Sequence, residues 1–170
     1  MHRGKQLLAP LELVPLPYVS GIKGRAVLLA VLTALEVLWA TLAHMALHTA
    51  GLLIVLAALS LSISAVSLSL SRGKPESKTQ SIRTLCVFNM SLRVSGFLVL
   101  MYLALTSDWD SQATCVVEPE TREWAHHVNL GVVGLSQAVQ LTILLSIYIK
   151  CVLLQREIKY RSLAHYLALY

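Results

Sequence analysis

Four apolar stretches, 26–47, 52–71, 85–106 and 128–149, dominate this chain, and each is long enough to cross a bilayer as a helix. A hydrocarbon core of roughly 30 Å takes about 20 residues at about 1.5 Å rise per residue. No water is present there to satisfy peptide groups, so a spanning segment must be a helix or part of a closed barrel. The alternation of serine and apolar residues over 61–71 has the period of a strand. An isolated strand cannot meet its backbone bonds in lipid, so helix is expected there too. With 56% apolar and 14% charged residues over 170 positions, the chain belongs to the membrane class.

The basic residues orient these spans. Of 14 Lys and Arg, 12 fall into three groups: Arg3, Lys5, Lys23 and Arg25; Arg72, Lys74, Lys78 and Arg83; Lys150, Arg156, Lys159 and Arg161. The groups flank alternate ends of the apolar stretches, and cytoplasmic loops carry the excess of Lys and Arg. The expected architecture is therefore an all-α integral membrane four-helix bundle, up-down-up-down, with both termini cytoplasmic. It comprises a cytoplasmic segment 1–25, a four-span domain 26–154 and a cytoplasmic tail 155–170. Segment 107–127 faces outward with Asp108, Asp110, Glu118, Glu120 and Glu123 against Arg122 alone. The net charge of +5 points to anionic lipids at the cytoplasmic face rather than to nucleic acid. Pro10, Pro15 and Pro17 predict irregular chain before the first span. That span is too long and starts too late for a cleaved signal peptide, so it reads as a signal anchor.

Two ionisable residues lie deep in the apolar stretches. Counted from the cytoplasmic ends, Glu36 and Arg93 sit at roughly 15 and 12 Å. A lone charge at that depth costs about 2.5–3.5 kcal/mol on insertion scales, so each seeks the bundle interior and a partner. Ser60 and Gln140 reach a similar level. The four predict one polar layer, either an ion pair that sets helix register or the lining of a permeation or proton path. Ser60, Ser64, Ser67 and Ser71 share a helix face, as do Gly134 and Ala138, and both faces suit close helix packing.

The remaining candidates each have two readings. His44 and His48, with His126 and His127, gather at the outer boundary, as weak metal ligands or as interfacial residues beside Trp109 and Trp124. Cys151 is a candidate for palmitoylation or a small apolar residue lining a helix. Cys115 has no partner within its loop, and Asn89-Met90-Ser91, a glycosylation sequon, is inside a span. In the tail, Tyr160-Arg161-Ser162-Leu163 and Tyr166-Leu167-Ala168-Leu169 have the tyrosine-x-x-bulky form of sorting signals, which bind extended. The same residues also fit an amphipathic extension of the fourth helix. With no nucleophile and base, no phosphate loop and no ligand set in the spans, the chain is expected to be non-enzymatic and without a cofactor.

Ser60-Leu-Ser-Ile-Ser64-Ala-Val-Ser67, then a basic loop, then Leu85-Cys-Val-Phe-Asn89-Met-Ser91, resembles the second and third spans of the membrane-spanning four-domains subfamily A, relatives of the B-lymphocyte tetraspan antigen. That family has a serine-rich second span and starts its third with Ser-Leu-Gly-Met-Asn. Here Cys86-Val87-Phe88 replaces its Gly-Met, and Cys115 stands alone where better-known members have a pair, which excludes their loop disulfide. The resemblance implies a multi-pass protein of plasma or endosomal membranes, a homo- or hetero-oligomer with other membrane proteins. It would act as an adaptor or modulator of receptor signalling, calcium entry or trafficking complexes. The alternative from the residues is an ion channel or transporter subunit using Glu36 and Arg93.

Overall fold

The computed structural model describes residues 17–42, 47–71, 75–106 and 119–169. They form α1 (Pro17–Leu42), α2 (Leu47–Leu68, closed by a 3-10 turn Ser69–Ser71), α3 (Pro75–Thr106) and α4 (Pro119–Leu169). The described chain is all-helical. Three stretches, Ile54–Ser71, Pro75–Val99 and Gly131–Ala164, are long and apolar enough to cross a membrane. The α1 helix is not among them; it carries Lys23, Arg25 and Glu36.

Three of the four helices open on a proline, Pro17, Pro75 and Pro119. Proline suits that position because its ring presets the helical φ and the N–H it lacks would have had no partner in the first turn. Residues 17–25 are consequently helical, not irregular as the three prolines led one to expect. The other helices likewise overrun their apolar stretches. The α3 helix takes in Lys78 and Arg83, and α4, at 51 residues, runs through the tail to Leu169. The far end of α2 is tied down: Lys78 Nζ donates to Ser69 C=O at 2.6 Å and Lys23 Nζ to Ser71 Oγ at 2.9 Å. Lys78 thereby meets a backbone carbonyl of the kind a helix end leaves unpaired, and Lys23 meets the Ser71 hydroxyl.

Each helix packs against two others: α1 on α2 and α4, α3 on α2 and α4. One shared core runs through Ile22, Ala26, Leu29, Ile63, Ile82, Cys86, Leu144, Ile147, Cys151 and Leu154. Ser64 Oγ donates to the Ala26 carbonyl at 2.5 Å, which draws α2 and α1 together where the serine face is buried. Above this core the usual order of a protein in water is inverted. Thr33, Glu36, Asn89, Arg93, Gln137 and Gln140 are buried, while Leu35, Ile54, Leu61, Leu98 and Leu135 are more than half exposed. Polar groups inside and large aliphatics outside suit a hydrocarbon surround.

Candidate functional site

The buried polar groups converge on Arg93, which is 1% exposed. Asn89 and Arg93 stand one turn apart on α3, as do Thr33 and Glu36 on α1 and Gln137 and Gln140 on α4, while α2 supplies Ser60. All four helices therefore meet at this level. Guanidinium has five N–H donors in a planar fork, and each edge of it finds an oxygen. Arg93 Nε donates to Asn89 Oδ1 at 2.8 Å and Nη1 to Gln137 Oε1 at 2.7 Å. Nη2 reaches Thr33 Oγ1 and Ser60 Oγ, both at 3.5 Å.

The Glu36 carboxylate lies 3.6 Å from Arg93 Nη1, an ion pair with both side chains almost wholly enclosed. Its oxygens accept two further bonds, Oε1 from Gln137 Nε2 and Oε2 from Gln140 Nε2 at 2.7 Å. Gln137 thus stands between the charges, accepting from the cation and donating to the anion. Gln140 also donates to Ser136 Oγ at 2.9 Å. Thr33 Oγ1 lies 2.7 Å from Gln140 Oε1 and 2.8 Å from the Leu29 carbonyl, and its one hydroxyl proton serves either. Asn89 Nδ2 donates to Ser60 Oγ at 3.2 Å, and Ser60 returns its proton to Leu56 C=O at 2.8 Å.

Glu36, Ser60, Arg93 and Gln140 are thus brought together. Thr33, Asn89 and Gln137 join them, and counting depth alone misses all three. Their signal is spacing: each lies three or four residues from an expected member on its own helix, the separation that puts side chains on one face. The carboxylate is held by two amides and a guanidinium, so it is placed to lock helices, and no open face is left to a reactant.

The other candidates are placed differently. Cys151 is fully buried in the core with Cys86, so acylating its thiol requires the helices to part. Tyr160 and Leu163 lie on a helix and are exposed, 71% and 58%; recognition in extended form requires α4 to unwind there. His44 and Cys115 fall outside the described residues, as do the side chains of His48, His126, His127, Tyr166 and Leu169. Ala138 is exposed, whereas Gly134 faces Phe97, whose ring lies 3.7 Å from where a Cβ would stand. Among the described residues no three His, Cys, Asp or Glu side chains are grouped to hold a metal ion. Comparison with known proteins yields no matching family model, no matching curated protein and no matching solved structure.

Proposed function

We propose that this chain is an integral membrane protein, a four-helix bundle with up-down-up-down topology and both termini cytoplasmic. It works as a non-enzymatic adaptor or modulator of a signalling, receptor or trafficking complex in plasma or endosomal membranes. The observation that carries this reading is the closure of the polar layer. Arg93, Glu36, Gln137 and Gln140 are at most 5% exposed and bond one another, so at this level the polar groups face each other rather than a channel. A permeation route needs polar groups free to exchange ions or protons with water. A bundle that uses its polar groups internally has two surfaces to offer: its apolar helix flanks, and its ends in water. Both suit association with other membrane proteins, the class to which the resemblance to the membrane-spanning four-domains subfamily A also points.

In this reading α1 is the fourth span, and the partner across the bundle offsets the insertion cost of Glu36. The test is reconstitution in liposomes beside co-purification of native complexes in mild detergent. The expected outcome is no ion or proton flux above empty liposomes, with a stoichiometric membrane-protein partner or oligomer retained. Flux that falls on Glu36→Gln would replace this reading with that of a channel or transporter subunit.

A further inference from the structure

At the end of the bundle where α1 begins, α1 and α4 leave a groove of about 480 Å³, open to the outside and lined by Tyr18, Arg156, Glu157, Tyr160 and Arg161 among others. Gly21 lies one turn along α1 from Tyr18. A Cβ there would stand 2.9 Å from Lys150 Nζ and 3.3 Å from Arg25 Nη1, so two cations close over the bare backbone of the glycine. Arg25 donates to the Gly21 carbonyl at 3.3 Å and Lys150 rests 6.0 Å from the centre of the Tyr18 ring. Neither forms an ion pair with a described residue. Glu157 is the one carboxylate lining the groove, and Arg161 takes its Oε1 at 2.5 Å.

Arg156 and Arg161 line the groove against one carboxylate, and Arg25 and Lys150 converge beside it at Gly21, next to the Tyr18 ring; convergence of two cations on one point is favourable once an anion lies between them. Its level in the bilayer narrows the choice of anion. Lys150 directly follows the last apolar residue of the 128–149 stretch, and Tyr18 and Tyr160 are of the type that populates the headgroup boundary. We propose that the phosphate of an anionic phospholipid of the cytoplasmic leaflet sits at the Tyr18 edge of this groove, over Gly21 between Arg25 and Lys150, with Arg156 and Arg161 of the groove taking the remaining headgroup charge. Guanidinium and ammonium donors suit phosphate oxygens, and the apolar stems of both side chains lie along the acyl boundary. This deepens the membrane reading above and rests on it.

The test uses the full chain in detergent micelles, titrated with phosphatidylglycerol, with phosphatidylcholine or with inorganic phosphate, with retained adducts read by native mass spectrometry. One phosphatidylglycerol should be retained, while phosphatidylcholine is not and inorganic phosphate does not displace it. Loss of one charged hydrogen-bond donor predicts binding about tenfold weaker in Lys150→Gln. Gly21→Ala should weaken it as well, without any change in charge, because its methyl group displaces Lys150 Nζ. Two controls should bind as the parent does: Lys159→Gln, which removes an exposed charge away from the groove, and Gly24→Ala, whose Cβ meets nothing within 4 Å. Because alanine favours helix over glycine, loss of folding does not explain an effect of Gly21→Ala. Equal losses in Lys150→Gln and Lys159→Gln overturn the site in favour of diffuse surface attraction. Displacement by inorganic phosphate overturns the lipid as its ligand. A chain that fails to float with phosphatidylcholine vesicles after reconstitution overturns the membrane reading itself, whereas one that floats and shows no preference overturns only the groove.

Discussion

Arg93 shows what a single residue does in this interior. Its guanidinium is enclosed by oxygens from all four helices, so removing it strands the Glu36 carboxylate in a dry core. Breaking a buried pair from one side costs about 3–5 kcal/mol. Arg93→Met should therefore lower stability by about that amount, read from unfolding in mixed micelles as the fraction of denaturing detergent is raised. Arg93→Lys should recover part of the loss, since an ammonium restores the charge but offers three donors in place of a planar fork of five. Adding Glu36→Met to Arg93→Met should also recover part, because no uncompensated charge remains. If the double variant instead loses the sum of the two single losses, the residues are energetically independent despite their 3.6 Å contact. Four members of the layer are legible in the sequence alone, because a charge in an apolar stretch stands out and depth follows from counting. Thr33, Asn89 and Gln137 are not, because a hydroxyl or amide is tolerated at many places in a span and only the helix face ties it to a charge.

Helix ends are the least legible elements, for a physical reason. Hydropathy marks the part of a helix that lipid surrounds, whereas the helix continues while its backbone bonds and packing hold. The α3 and α4 helices extend into basic sequence because Ile82 and Leu154 still bury there, and Ile158 packs against the same core. The prolines at 17, 75 and 119 mark the true starts, but they fit loops equally well unless the chain that follows is helical. The inward face of α2 is easier to read, since only one side of a helix collects Ser60, Ser64 and Ser67, and all three are buried. Ser62 lies on the outward side, bonded to the Ala58 carbonyl at 2.8 Å. Ser64→Leu should drive a wedge between α2 and α1, where Ser64 now touches the Ala26 carbonyl, at a cost of about 1–3 kcal/mol for overpacking. Ser62→Leu inserts the same side chain on the exposed face and should leave stability within experimental scatter. Comparison of the two unfolding midpoints checks the face assignment, and equal midpoints would count against it.

At the scale of the whole molecule, hydropathy and buried contacts point to different numbers of membrane crossings, three and four. Hydropathy favours α2, α3 and α4, while Lys23, Arg25 and Glu36 weaken α1. The two cases place the N-terminus on opposite sides. With Arg72 and Lys74 on the cytoplasmic side, three crossings leave the start of α2, and with it the N-terminal segment, outside; a fourth returns that segment to the cytoplasm. The contacts of α1 argue for four. Lys23 at its start bonds Ser71 at the end of α2, Ala26 meets Ser64, and Glu36 reaches Gln137 and Gln140 on α4. The helix thus runs alongside its neighbours through the depth of the polar layer and cannot lie flat on the surface without breaking every one of those bonds. Glu36 is the residue that makes α1 look unfit to cross, yet its bonds hold α1 within the bundle. Glycosylation sequons inserted one at a time map the result. An acceptor asparagine placed in 107–118 should receive glycan, and acceptors placed in 1–16 or appended after Tyr170 should stay unmodified. Glycan on the 1–16 site together with the 107–118 site would establish three crossings and remove α1 from the membrane.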